Sequence, residues 1–268
     1  MIEAILPARV SAAEAFSDPP GASLFPEETA IVAKAVDKRR REFTTARNCA
    51  RRALQSLGVQ PVPIPAGERG APRWPPGIVG SITHCAGYRA AAVAWAEDMI
   101  TIGIDAEPNE ELPSGVLDAV ATVGEQARLR DLAAAVPIVC WDRLLFSAKE
   151  SVYKAWFPLT RRWLDFEDAD ISIDATAGTF TARLLVPALT IRGTPLTGFT
   201  GRWLAVRGLL VTAIAMPAGS RSGTLTLPHP PDQREPAPAR RKEGIRDPWN
   251  PRIPGPPAGQ GLRASRDP

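Results

Sequence analysis

The chain has 268 residues and a mass of 28.7 kDa, with 44% hydrophobic and 23% charged residues. That excludes a wholly disordered chain and suffices for one large or two small cores. The net charge of +3 conceals a split: residues 217–268 carry nine Lys/Arg against five Asp/Glu, which leaves 23 basic and 24 acidic residues in 1–216.

The chain opens Met-Ile-Glu-Ala-Ile-Leu-Pro, with an acid where a secretory leader needs positive charge. Its longest apolar runs, such as Leu209 to Met216, fall far short of a bilayer span. A soluble cytoplasmic protein is expected. From Pro26 to Gly58, Val32, Val36, Phe43, Ala46, Ala50, Leu54 and Leu57 recur at helical spacing, which predicts one long amphipathic helix. After the Pro/Gly-rich stretch Pro61 to Gly77, the runs Ile78–Thr83, Ala90–Ala96 and Ile100–Asp105 read as strands. Glu125–Ala135 and Trp141–Phe157 read as helices, the second stopped by Pro158. Strands follow at Ala169–Ile173, Thr179–Val186, Arg202–Val206 and Leu209–Met216, the last pair turning through Arg207-Gly208. This order predicts an α+β fold of two halves, 1–108 and 109–216, each with a small, mostly antiparallel sheet and a long helix. Residues 217–268 hold 12 prolines and 6 glycines with few large apolar residues, too few to offset the entropy of ordering, so a disordered tail is expected there. The tail is basic but lacks aromatic interleaving, and nucleic-acid and membrane roles are not expected.

Three cysteines, Cys49, Cys85 and Cys140, show no CxxC or CxxH spacing, which argues against a disulfide framework or zinc site. With His84 and His229 as the only histidines, chemistry should rest on carboxylates and lysine. In Thr101-Ile-Gly-Ile-Asp-Ala-Glu-Pro108, Asp105 and Glu107 share one strand face while Ile102 and Ile104 take the other. Two hard oxygen ligands on one face suit Mg²⁺, which completes its shell with water and substrate phosphate; a solvated strand end is the plainer alternative. On the second helix, Lys149, Glu150, Tyr153 and Lys154 cluster within little more than a turn, beside Phe146, Val152, Trp156 and Phe157. Glu150 and Lys154 could be only an exposed ion pair, but the apolar neighbours place Glu150 at the margin of buried surface, where a carboxylate can become a base. Thr83 and His84 end a glycine-flanked strand and could hold a phosphate. Arg39 and Arg47 lie two turns apart with Phe43 between them, so both border the apolar side of their helix.

Taken in order, Arg39…Arg47, Gly67-x-x-Gly-x-Pro, Ser81-Ile-Thr-His84, Gly103-Ile-Asp105-x-Glu107 and Phe146-Ser-x-Lys-Glu150-Ser-x-x-Lys154 resemble the 4′-phosphopantetheinyl transferases over residues 25–216. The contexts around Trp74-Pro75 and Tyr153-Lys-Ala-Trp-Phe-Pro-Leu159 are similar to the enterobactin-synthase branch, including enzymes that serve polyketide and nonribosomal peptide synthases. The resemblance implies two pseudo-symmetric halves in a monomer. It implies transfer of the 4′-phosphopantetheine arm of coenzyme A to a serine of an apo acyl or peptidyl carrier protein, releasing adenosine 3′,5′-bisphosphate. It further implies Mg²⁺, or Mn²⁺, on Asp105, Glu107 and Glu150. Glu150 would act as base and Lys154 would stabilise the leaving phosphate. Arg39, Arg47, Arg69, Thr83, His84 and Lys149 would surround the coenzyme A phosphates. Many members carry lysine at the Arg69 position. A different Mg²⁺-dependent phosphoryl-transfer or phosphohydrolase enzyme, and a catalytically dead coenzyme A binding module, are the other classes. The first does not require the Lys149-Glu150…Lys154 helix together with Thr83-His84. The second should have lost Asp105, Glu150 or Lys154.

Overall fold

The structure is a computed structural model that describes residues 1–219. The expected tail, from residue 220 onward, lies outside the described residues. After a short 3-10 turn at Ile2–Ile5 come β1 (Ser11–Ala15), α1 (Pro26–Val32), α2 (Asp37–Ser56), β2 (Ile78–Cys85), β3 (Tyr88–Trp95) and β4 (Met99–Pro108). Then follow α3 (Val116–Val120), α4 (Val123–Ala135), α5 (Trp141–Thr160), β5 (Ala169–Asp174) and β6 (Thr179–Leu184). A small hairpin of β7 (Leu189–Ile191) and β8 (Thr194–Leu196) precedes β9 (Gly198–Val206) and β10 (Leu209–Pro217).

The fold is α+β with antiparallel sheets. One sheet has the order β1-β3-β2, the other β4-β10-β9-β6-β5. The strand that ends the expected first half, β4, therefore pairs in the sheet of the second half, with Asp105 opposite Thr212 of β10. Each sheet carries one long helix. Ala46, Ala50, Ala53 and Leu54 of α2 pack on Ile78, Ile82, Ala91 and Val93, and the small side chains of β3 let the helix sit close. Apolar residues of α5, among them Leu144, Leu145 and Phe157, pack with Leu210, Ile214 and Phe180 of the larger sheet. On the opposite face Tyr88, Ile102, Ile104 and Val211 join both sheets in a third cluster.

No backbone ladder joins β2 to β4. Their seam is instead closed by side chains: Ser81 Oγ accepts from the Ile104 N–H and Thr83 Oγ1 from the Ala106 N–H, each at 3.1 Å. Two hydroxyls on alternate residues of β2 thus satisfy β4 donors that would otherwise be buried unpaired.

Two departures from the expected elements bear on the site. The helix expected over Pro26–Gly58 is two helices, interrupted at residues 33–36. Ala33-Lys34-Ala35-Val36 contains no helix breaker; Glu28 of α1 is fully buried against Arg51 and the Ile64 N–H, which fixes α1 on α2, and Arg40 donates to the Ala35 carbonyl in the break. At the other helix, Pro158 lies inside α5, which continues to Thr160 and ends on Arg161 in the left-handed region. A proline this close to the C-terminus removes one bond of the last turns, while Trp156 and Phe157 beside it are buried.

Candidate active site

β4 alternates as its sequence requires. Ile102, Ile104 and Ala106 enter the third cluster, while Thr101, Gly103, Asp105 and Glu107 face the other way. Helix α5 crosses that second face at Gly103, where a Cβ would stand 2.0 Å from the Ser151 carbonyl oxygen and 2.8 Å from the Ala155 nitrogen. Hydroxyls hold the crossing. Thr101 donates to the Ala155 carbonyl at 2.8 Å, and Thr212 of β10 is linked to Ser147 and Ser151 at 2.9 and 3.0 Å. This contact sets Lys154 Nζ 2.7 Å from Asp105 Oδ1, with both groups buried.

Arg39, Arg47, Thr83, His84, Asp105, Glu107, Glu150 and Lys154 line a single cavity of about 360 Å³ between the two halves, a size within the ~300–1,000 Å³ range of small-molecule sites. Its α1–α2 wall is cationic, with Lys34, Arg39 and Arg47, and its β4–α5 floor carries the three carboxylates. Arg47 is 5% exposed, stacks over Phe43 at 4.3 Å and donates from Nε to the Ile64 carbonyl at 2.8 Å. Burial lowers its pKa to about 10, still far above neutrality. Arg39 donates to His84 Nε2, since a guanidinium has no acceptor, and this leaves the ring proton on Nδ1, 3.9 Å from Glu42. Burial first, then the positive charges of Arg39, Lys154, Arg89 and Arg47, hold the His84 pKa down to about 3. His84 is therefore a neutral imidazole.

Thr83, which also lines the cavity, is engaged with the protein on both sides. Its single O–H donates to Asp105 Oδ1 at 3.2 Å while its oxygen accepts from Ala106. In this arrangement its one proton is directed at Asp105. Two of the three carboxylates are held by different cations. Asp105 is bound by Lys154, and Glu107 by Arg143 at 3.2 Å. Among the described residues no group of three or more His, Cys, Asp or Glu is gathered closely enough to hold a metal ion, although Asp105, Glu107 and Glu150 all line the one cavity. The donor chemistry nevertheless fits a hard divalent cation. Asp105 Oδ2 is buried without a hydrogen-bond partner, and burial and then the Asp105 charge push the Glu107 pKa upward; a cation at this floor would relieve both.

Two family models match the chain: the 4′-phosphopantetheinyl transferase N-terminal domain over residues 27–94, and the 4′-phosphopantetheinyl transferase superfamily over 101–194. The 4′-phosphopantetheinyl transferase Svp of Streptomyces mobaraensis is 57% identical over 82% of this chain and 92% of its own length. The chain belongs to the 4′-phosphopantetheinyl transferases. Npt of Nocardia iowensis is 53% identical over 80% of this chain and 99% of its own length. PptT of Mycobacterium tuberculosis is 50% identical over 81% and 98%.

Two residues that the resemblance assigns to coenzyme A, Arg69 and Lys149, are not among those that line this cavity, although Gly70 and Glu150 beside them are. Arg69 sits in a turn with φ of 52° and its guanidinium stacks over Trp163 at 4.9 Å, joining the two halves. Lys149 is buried in an ion pair with Glu125 at 2.8 Å and donates to the Phe166 carbonyl at 2.6 Å. Lys149 lines, together with Glu150, a smaller second pocket that has Tyr153, Trp163 and Phe166 among its walls. Sequence reasoning missed Arg143, which sits one helical turn before the Phe146–Lys154 cluster. It ties Glu107 to the Glu110 and Glu111 carbonyls at 3.0 and 2.8 Å. It also missed Glu42; the signal was spacing, since Glu42 follows Arg39 by three residues on α2 and so shares its face.

Proposed function

We propose that this transferase moves the 4′-phosphopantetheinyl arm of coenzyme A to a serine of apo acyl, peptidyl or polyketide carrier proteins, with Mg²⁺ or Mn²⁺, releasing adenosine 3′,5′-bisphosphate. The observation that carries this reading is the division of one cavity into a cationic wall and a carboxylate floor. A nucleotide with several phosphates needs the first, and its pyrophosphate needs a cation held by the second.

Asp105, Glu107 and Glu150 would hold the divalent ion, which when bound offsets the charge that develops as the phosphoanhydride breaks. The remaining work falls to side chains. Arg39 and Arg47 hold the phosphates of the nucleotide, and His84 orients Arg39 through Nε2. Glu150 takes the serine proton, directly or through water, as the serine oxygen bonds to the phosphorus that carries the pantetheine arm. The bridging P–O bond breaks and its electron pair leaves with the nucleotide, whose new phosphate charge Lys154 meets. Thr83 and Lys154, both donating to Oδ1, together orient Asp105. The names of the three relatives support the transferred group. Because one chain supplies both walls, a monomer suffices, and a cytoplasmic location remains part of the proposal. No helix among the described residues is long and apolar enough to cross a membrane.

The test is incubation of the full chain with coenzyme A, Mg²⁺ and an apo carrier protein, read by intact mass. A gain of one phosphopantetheinyl group is expected, lost in chelator and restored by Mg²⁺ or Mn²⁺. No mass gain on several carrier proteins overturns the reading, and full activity in chelator overturns its metal.

A further inference from the structure

We propose that Glu28 is a positioning residue for the coenzyme A site, acting on Arg47 through the backbone of Ile64. Glu28 lies on α1 and is 0% exposed. Its Oε1 accepts from the Ile64 N–H at 2.8 Å and from Arg51 at 2.9 Å; its Oε2 accepts from the Phe25 N–H and from Arg51, both at 2.9 Å. A buried carboxylate is tolerated only when paired and hydrogen-bonded, and this one is both.

Ile64 lies in the connector between α2 and β2 and is itself fully buried. Its N–H belongs to Glu28 and its C=O to Arg47 Nε, at 2.8 Å each. One peptide residue is thus gripped on both sides, by a carboxylate from α1 and a guanidinium from α2. The Nε bond fixes the plane of the Arg47 fork, with Phe43 beneath it, and a planar fork delivers its two terminal amino groups only where that plane points. The Glu28 charge also supports the Arg47 charge against burial. Glu28 does not touch the cavity; Arg47 does. If the carboxylate merely braced α1 on α2 through Arg51, its removal would lower stability and leave ligand affinity alone.

This inference rests on the proposal that Arg47 holds coenzyme A, and the experiment separates the two. Dissociation constants for coenzyme A in Mg²⁺ are measured by calorimetry for the full chain and for Glu28→Gln, Arg47→Lys and the double variant, with melting curves alongside. Arg47→Lys keeps the charge but puts a methylene where Nε donates to the Ile64 carbonyl and removes the planar fork. Glu28→Gln is expected to weaken binding about 10-fold, with turnover at saturating coenzyme A within about twofold of the unaltered chain. In the Arg47→Lys background the same change should add less than about threefold, because residues acting through one path do not add. A full multiplicative loss in the double variant, or a less stable Glu28→Gln with unchanged affinity, overturns the role of Glu28. Unchanged affinity in both Arg47→Lys and Arg47→Ala overturns the assignment of Arg47 itself. If Glu28→Gln does not fold, hydrogen exchange at the Ile64 amide of the unaltered chain decides: coenzyme A should slow it about 10-fold, and no change refutes the link.

Discussion

Replacing Gly103 with alanine adds one methyl group where α5 crosses β4. The new Cβ would lie 2.0 Å from the Ser151 oxygen, and the helix must retreat by about 1 Å to bring that contact to 3.0 Å, the least that real Cβ atoms show. Neither obstacle is a flexible side-chain end, since both close atoms are backbone of α5. Overpacking of this kind costs about 1–3 kcal/mol, less than the ~5–15 kcal/mol that separates folded from unfolded domains, so Gly103→Ala should fold with a lowered melting temperature. Catalysis should suffer more. Glu150 and Lys154 flank the displaced turn, Lys154 loses its 2.7 Å approach to Asp105, and a misplacement of about 1 Å can cost ~10²-fold in rate. The assay is the initial rate of pantetheinylation at saturating coenzyme A and Mg²⁺, beside the melting curve. A variant that is less stable yet turns over within twofold of the original would refute the view that the helix-to-strand distance places the reacting groups.

Glu150→Gln keeps the shape of the side chain and removes its basicity, so turnover should fall by about 10²–10⁴-fold with little change in melting; near-normal rates would move the base elsewhere. Lys149→Met leaves Glu125 as a buried charge that has lost its cation, which should cost on the order of 3–5 kcal/mol of stability while coenzyme A affinity stays within twofold. Weakened binding without loss of stability would return Lys149 to the coenzyme A site. For His84 the folded pKa of about 3 lies below the ordinary 6.5, so the unfolded chain binds the extra proton. Its contribution to stability is full above pH 6.5 and shrinks as pH falls toward 3, by up to ~1.4 kcal/mol per pH unit. Denaturant unfolding of His84→Gln should accordingly show a flatter acid limb than the original chain, and parallel limbs would mean the imidazole is already protonated in the fold.

Local periodicity governs part of the site, and that part is legible in the amino-acid sequence. Alternation along Thr101–Pro108 puts Asp105 and Glu107 on one face, and the apolar residues of α5 place Glu150 against buried surface. What local pattern does not supply is partner choice. The Ser-Ala-Ala-Glu-Ala of β1 has little strand preference and becomes a strand by pairing with β3. Arg69 carries the positive charge expected at its position, yet the left-handed turn that holds it sends the guanidinium to Trp163. Lys149 finds Glu125, 24 residues earlier on α4, a distance no helical spacing encodes. Equally, a boundary after Pro108 follows the sequence of turn residues, whereas hydrogen bonding assigns β4 to the sheet of the second half.

The seam between the halves is where that last point acquires chemical meaning, and Thr83 tests it. Its hydroxyl accepts from the Ala106 N–H, so it joins β2 to β4, and it donates to Asp105, so the same atom orients the carboxylate floor. Thr83→Val preserves the shape and removes both bonds. The buried Ala106 N–H is then unpaired, at a cost of about 1–3 kcal/mol, and Asp105, whose Oδ2 already lacks a partner, keeps only Lys154 on Oδ1. Melting temperature and turnover should both fall while coenzyme A affinity holds. Thr83→Ser restores the hydroxyl and should recover most of both losses, since only a methyl group is missing. A phosphate-binding threonine behaves otherwise: Thr83→Val would then weaken coenzyme A binding first and leave stability nearly intact. Calorimetry and melting on the two variants separate these outcomes, and a loss of affinity that outruns the loss of stability would put the Thr83 proton on the substrate instead of on Asp105.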